Sequence, residues 1–276
     1  MLEKEIIYKK KKLAYKVLGM GQPVLLLHGF GETGAIWNDL AEKLSVRFKV
    51  IIPDLPGSGN SEEIDPIDGS EHVSINDYAN RMHMIILNEQ KDEKNNTGAI
   101  NIVGHSVGGY IALAYSSLFP EFILKLVLFH SSCYADDEEK IVMRKKAIEF
   151  ISKNGAYTFL QTSIPDLFSK RSKQIIPETI NKLVANGKHF TPSVLIQYYN
   201  AMILRPERIE IVKNLDYPVL FIIGEEDKAV PLQISLRQCH LPKISSVTIL
   251  KDVAHMGMLE KPDQSFSALN TFLTDL

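Results

Sequence analysis

Short apolar runs recur along this chain, separated by stretches long enough to hold a helix, and that alternation constrains the fold more than any other feature. Val24-Leu25-Leu26-Leu27, Val50-Ile51-Ile52, Ile100-Asn101-Ile102-Val103 and Leu126-Val127-Leu128-Phe129 each read as a buried strand. Between them, residues 33–44, 75–88 and 107–118 read as helices, the last ended by Phe119-Pro120. Parallel neighbours need crossovers of about a dozen residues or more, usually helical, so the pattern predicts an α/β fold with a mostly parallel, doubly wound sheet. Near the N-terminus, Ile6-Ile7-Tyr8 and Leu13-Ala14-Tyr15 flank Lys9 to Lys12. They predict antiparallel edge strands whose lysines discourage further pairing. Asn95-Asn96-Thr97-Gly98 is expected to be a turn.

The rhythm breaks after Phe129. From Tyr134 to Val212 the spacing is helical (Ile141, Ile148, Ile151; Leu195, Tyr198, Tyr199, Met202), with prolines at 165, 177, 192 and 206 and no convincing strand. Strands resume at Val219-Leu220-Phe221-Ile222-Ile223 and Val247-Thr248-Ile249-Leu250, and a helix from about Gln264 follows. Residues 134–212 are therefore expected to be a helical insertion in a core made of residues 1–133 and 213–276. A length of 276 residues accommodates both.

Composition narrows the function. Lys and Arg number 31 against 33 Asp and Glu, a formal net charge of −2, so no basic excess exists to bind phosphate backbones and nucleic acid is not an expected partner. A weak overall field also favours a small, largely apolar substrate over an ionic one. The N-terminus carries charges where a signal peptide needs an apolar run, and no apolar run is long enough for a membrane span. Cys133 and Cys239 are too few for a disulfide framework and lack metal-ligand spacing. The expectation is a cytoplasmic protein with no cofactor and no metal.

Gly104-His105-Ser106-Val107-Gly108 carries the most chemical information. It is a G-x-S-x-G motif placed after a strand and before a helix, where a tight turn lifts the serine hydroxyl from the carboxyl edge of the sheet. A serine hydroxyl needs a base, and the base needs an orienting acid. Of the histidines, His255 sits on a loop just beyond the strand ending at Leu250 and fits the base; His105 adjoins the serine but is expected to point elsewhere, and His130 ends a strand. For the acid, Asp227 is favoured from Gly224-Glu225-Glu226-Asp227, with Glu226 as nearest rival and Asp136 or Asp137 at the same sheet edge. Charge developing on an attacked carbonyl oxygen calls for backbone donors, which the Val107 amide and the Phe30 amide in His28-Gly29-Phe30-Gly31 supply.

In this order the residues resemble the α/β-hydrolase superfamily. The match covers roughly residues 4–133 and 213–276, with His28-Gly29-Phe30, Asp54-Leu55-Pro56-Gly57-Ser58-Gly59-Asn60-Ser61, the Ser106 motif, Gly224 to Pro231 and His255 in place. The resemblance implies Ser106 as nucleophile, His255 as base, Asp227 as acid, and the Phe30 and Val107 amides as oxyanion hole. It also implies that residues 54–61 form a structural turn under the pocket, and that residues 134–212 are a cap. Caps vary most within that superfamily, so the substrate does not carry over. Phe30, Trp37, Phe159, Phe168, Tyr198, Tyr199 and Met202 are the candidates for the pocket lining. The serine argues against relatives with an aspartate nucleophile, and favours an enzyme for a small ester or thioester. Carbon–carbon bond hydrolases, peroxidase-like relatives, aminopeptidases and triad-bearing ligand receptors stay open. An aminopeptidase would need cap acids such as Glu138, Glu139, Glu149 or Asp166. Nothing in the sequence speaks to oligomeric state.

Overall fold

In a computed structural model, residues 1–91 and 98–275 are described. The strands are β1 (Leu2–Tyr8), β2 (Lys11–Leu18), β3 (Gln22–Leu27), β4 (Phe48–Pro53), β5 (Ile100–His105), β6 (Ile123–Phe129), β7 (Val219–Gly224) and β8 (Ser245–Leu250). They form one sheet in the order β1-β2-β4-β3-β5-β6-β7-β8. β1 and β2 pair antiparallel, as do β2 and β4, and every other pair is parallel. Successive strand residues point to opposite faces, so full burial of Val24, Leu25, Leu26 and Leu27 means that both faces of the sheet are covered.

The helices are α1 (Asn38–Leu44), α2 (Ile75–Gln90), α3 (Val107–Leu118), α4 (Glu138–Asn154), α5 (Ala156–Asp166), α6 (Lys170–Ile175), α7 (Pro177–Asn186), α8 (Pro192–Leu204), α9 (Ile209–Lys213), α10 (Leu232–Gln238), α11 (Gly257–Glu260) and α12 (Pro262–Thr274). α3 packs on β5, β6 and α2, whereas α12 packs on β7, β8 and α1. α3 is apolar nearly all round because it lies between the sheet and α2, with every residue from Val107 to Ser116 buried. α4 to α9 all fall between β6 and β7, with no strand among them. The helix expected over residues 33–44 begins instead as a 3-10 turn, Gly34–Trp37, capped by the Thr33 hydroxyl. The turn expected at residues 95–98 lies, apart from Gly98, outside the described residues.

Strand order sets the location of the chemistry. From β3 the chain passes to β4 on one side and then returns to β5 on the other. Loops leaving β3 and β5 at their carboxyl ends therefore diverge, opening the crevice where doubly wound sheets place their ligands. The loops after β6, β7 and β8 line up along the same edge.

Candidate active site

Ser106 follows β5 directly and adopts φ 52° and ψ −118°, a left-handed conformation that a residue with a side chain rarely holds. Its neighbours over-determine it. The Ser106 amide donates to the Phe129 carbonyl at 3.0 Å, and the Ser131 hydroxyl donates to the Ser106 carbonyl at 2.8 Å. Gly108 permits the close approach of α3 to the loop after β3: a Cβ there would lie 2.5 Å from the Leu27 carbonyl oxygen and 2.7 Å from that of His28. Val107 is the first residue of α3, so its N–H precedes the first intrahelical bond. The Phe30 N–H, on the adjoining loop, donates to no protein acceptor among the described residues. Both amides are thus unclaimed at the same end of the sheet.

His255 and Asp227 meet at 2.8 Å, Nδ1 to Oδ2, after β8 and β7 respectively. Both are buried. Asp227 Oδ1 accepts the Ala229 and Val230 amides at 2.8 and 2.9 Å, which fixes the carboxylate plane. Burial would raise the Asp227 pKa, but His255 and His130 outweigh it and hold the carboxyl far below its ordinary range. With Nδ1 engaged, Nε2 is the ring nitrogen left for the cavity. Ser106 Oγ and His255 Nε2 do not hydrogen-bond one another here; such contacts commonly tighten only in the Michaelis complex. A hydroxyl, an imidazole and a carboxylate set on three neighbouring loops can act as nucleophile, base and orienting acid.

The rival acids are committed elsewhere. Asp136 pairs with Arg144 and Arg205, and Asp137 caps α4 by accepting the Lys140 amide at 2.8 Å. Glu226 is exposed.

Two further histidines take parts that sequence reasoning missed. His130, at φ 48°, brings its Nδ1 within 3.1 Å of Asp227 Oδ2 and of the Gly224 amide nitrogen. One ring nitrogen cannot donate to the first and accept from the second at once. Burial drives the His130 pKa down to about 4, so the ring is neutral at pH 7 and must choose between them. Its Nε2 is buried without a partner among the described residues. His105 points away from the Ser106 hydroxyl, as expected, but into a network of its own: its Nε2 donates to the His255 carbonyl at 2.9 Å, and its Nδ1 lies 3.1 Å from Glu32. Glu32 in turn accepts the Gly29 amide at 2.6 Å. Burial lowers the His105 pKa, but Glu32 outweighs it and the net shift is upward; burial raises Glu32, but His105 outweighs it and the net shift is downward. The pair is thus a buried ion pair tying the loop after β3 to the backbone of His255.

His130, Asp227 and His255 also present ligand atoms within 4.8 Å of one another. Both imidazoles address the same carboxylate oxygen through Nδ1 at hydrogen-bond distance, so the cluster is an acid–base array centred on Asp227.

Ser106 and His255 share a cavity of about 1010 Å³ whose lining also includes Phe30, Tyr199, Met202 and Leu167. Four other residues expected in the lining are absent from it. Trp37 is fully buried, edge-on to Phe129 at 5.5 Å. Tyr198 is stacked on Tyr78 at 5.0 Å and donates to the Pro56 carbonyl at 3.0 Å. Phe168 is core, and Phe159 meets Phe30 edge-on at 6.3 Å from behind the wall. Aromatic character alone does not separate a pocket wall from the packing beneath it. Residues 54–61 likewise do not line the cavity. Asp54 accepts the Gly34 and Asn60 amides at 3.0 and 2.9 Å, and His28 Nε2 accepts the Leu55 amide at 2.9 Å, so the turn braces the loop after β3.

This architecture, with a serine elbow at the switch point, is that of the α/β hydrolases. A family model described as the alpha/beta hydrolase fold matches residues 22–153 of this chain. It is 24% identical to a thermophilic esterase from Thermogutta terrifontis, whose solved structure superposes with a TM-score of 0.89 over 99% of this chain and 98% of that one. It is 27% identical to Lipase 3 of Moraxella sp. over 250 residues, 87% of this chain and 73% of the lipase. An uncharacterised protein of Mycobacterium bovis is 30% identical over 186 residues, 66% of this chain; the alignment spans about half of that protein, 49%. Among the described residues, no helix is long and apolar enough to cross a membrane.

Proposed function

We propose that the protein is a serine hydrolase cleaving a small carboxylic ester or thioester through an acyl-enzyme. Esterase and lipase relatives support hydrolase activity. The observation that carries the finer reading is the left-handed Ser106 at the head of α3, opening into one cavity with the His255 imidazole that Asp227 holds by Nδ1. Ser106 Oγ attacks the ester carbonyl while His255 Nε2 takes its proton. The Phe30 and Val107 amides stabilise the oxyanion, each worth roughly a hundred- to a thousand-fold in rate. His255 then returns the proton to the leaving alcohol, and water enters by the reverse sequence with the same base. Asp227 keeps the imidazole in the required tautomer and stabilises its cation.

Residues 134–212 act as the cap in this reading, since α4, α8 and the segment joining α5 to α6 supply Arg144, Tyr199, Met202 and Leu167 to the cavity. The aromatic and aliphatic wall suits an apolar portion of the substrate. Free thiols at Cys133 and Cys239 suit a reducing, cytoplasmic setting. The reading is tested by Ser106→Ala. The variant is expected to fold, to lose ester turnover, and to lose covalent labelling by a serine-reactive phosphonate. Undiminished turnover would overturn it.

A further inference from the structure

One wall of the cavity carries an unbalanced buried charge. Asp136 is flanked by two guanidinium groups: Arg144 Nε lies 2.6 Å from Oδ2, and Arg205 Nη2 lies 2.9 Å from Oδ1. The three side chains are 1%, 11% and 5% exposed for Asp136, Arg144 and Arg205. Two cations share one anion, leaving one positive charge in excess where water is scarce.

The two arginines differ in what remains free. Arg205 also donates to the Met202 and Tyr134 carbonyls at 2.6 and 3.0 Å, and stands 3.9 Å over the Tyr110 ring. It is a structural strut. Among the described residues, Arg144 has only Asp136 as a hydrogen-bond partner, through Nε and, at 3.4 Å, Nη2. Its Nη1 has no protein acceptor among the described residues, and the side chain lines the cavity together with Ser106 and His255. Tyr110 also lines the cavity, and its hydroxyl has no hydrogen-bond partner among the described residues.

The other acids of the cavity do not cancel this charge. Glu32 is matched by His105 and the Gly29 amide, Asp137 is engaged at the start of α4, and Glu139 and Glu207 are exposed to water. Tyr110 itself registers the surplus: burial pushes its phenol up, yet Arg205, Lys140 and Arg144 outweigh burial and hold it below its ordinary value.

We propose that Arg144 and Tyr110 form a carboxylate-binding subsite, so that the substrate ester carries a second, ionised carboxylate away from its scissile bond. The inference rests on the serine-hydrolase reading and names its substrate class. A guanidinium with an open edge matches the two oxygens of a planar carboxylate, and the Tyr110 hydroxyl supplies a further donor. The apolar lining then takes the chain between the carboxylate and the ester.

The test compares the monomethyl esters of succinic, glutaric and adipic acids, and acetoxyacetate for a carboxylate on the alcohol side, with neutral esters of equal length. In the unaltered protein at least one of these acids is expected to exceed its neutral counterpart in kcat/KM by about tenfold, the usual scale of a charge-assisted contact. Arg144→Gln brings that ratio close to one, and Arg144→Lys, which keeps the charge but not the fork, retains part of it. A ratio near one in the unaltered protein, or a ratio that survives Arg144→Gln, overturns the subsite. Should Arg144→Gln not fold, glutarate and glutaramide are compared as inhibitors of neutral-ester turnover by the unaltered protein. Competitive inhibition by glutarate alone supports the subsite, and equal weakness of the two overturns it. If no ester of either kind is hydrolysed, the hydrolase reading fails, and calorimetric titration with glutarate, with and without Arg144→Gln, decides the subsite separately.

Discussion

The carboxyl edge of the sheet and the helical insertion supply facing sides of one cavity, yet they hold their side chains by different means. At the sheet edge the backbone does the holding. Ser106 is pinned by Phe129 at the end of β6 and Ser131 just beyond it, and Asp227 by two amides of its own turn. His255 is held through its carbonyl to His105 and through its amide to the carbonyl of Leu167, which the insertion supplies. In the insertion Arg144 is held by side chains alone, the Asp136 carboxylate and the Tyr199 ring 5.5 Å away, and its helical neighbours Val142 and Met143 are 50% and 59% exposed. The difference separates chemistry from selection: substitutions at the edge should remove turnover of every ester, whereas substitutions in the insertion should reorder substrates.

Asp227→Asn is the largest test of that contrast. An amide in place of the carboxylate offers His255 Nδ1 a poorer partner and favours the wrong tautomer, so kcat for any ester is expected to fall by roughly four orders of magnitude. The variant keeps an oxygen for the Ala229 and Val230 amides, so its thermal midpoint should fall little by comparison. Steady-state kinetics on neutral and carboxylate-bearing esters together provide the check. If Asp227→Asn changed only the preference between them, the sheet edge and the insertion would not be separate devices.

An intermediate effect is expected from Glu32→Gln, which removes the ion pair beneath the loop after β3. The pKa of Glu32 lies below its ordinary 4.5, so its contribution to stability is complete above that value and is lost as pH falls through the folded pKa. That of His105 lies above its ordinary 6.5, so its contribution is complete below that value and is lost as pH rises through the folded pKa. Stability supplied by the pair is therefore greatest between these two ordinary values and declines above pH 6.5. Breaking a buried pair costs about 3 kcal/mol or more. Urea midpoints from pH 5 to 9 should fall with rising pH in the unaltered protein and run lower and flatter in Glu32→Gln. A variant with an unchanged slope would show that the pair does not govern the edge.

These two regions were also unequally legible in the sequence. The strands, the helical insertion and the parallel order follow from apolar runs and their spacing, because burial on two faces is written locally into each run. Ser106 was legible for the same reason, since a strand, a tight turn and a helix surround it within a few residues. The Glu32–His105 and His130–Asp227 contacts were not, because each joins loops 73 and 97 residues apart that only the strand order brings together. His130 had one usable clue: it directly follows β6, whose neighbour β7 ends shortly before Asp227. In the insertion, aromatic residues at helical spacing gave Tyr199 and Tyr198 equal standing. Adjacent positions on α8 point about 100° apart, and one rotation decides between the cavity and the core.

That rotation yields the smallest test. The Tyr198 hydroxyl reaches the Pro56 carbonyl, joining α8 to the turn over residues 54–61 that braces the loop after β3. Tyr198→Phe removes one buried hydrogen bond and leaves the stacking on Tyr78, so unfolding free energy should drop by only about 1 kcal/mol. Because Pro56 and Tyr198 stand outside the cavity, kcat/KM should stay within about twofold for neutral and charged esters alike. Denaturant unfolding and the same ester pairs measure both quantities. A large loss of kcat would mean that the insertion reaches the oxyanion loop through this contact, and the division between an edge that reacts and an insertion that selects would have to be redrawn at Tyr198.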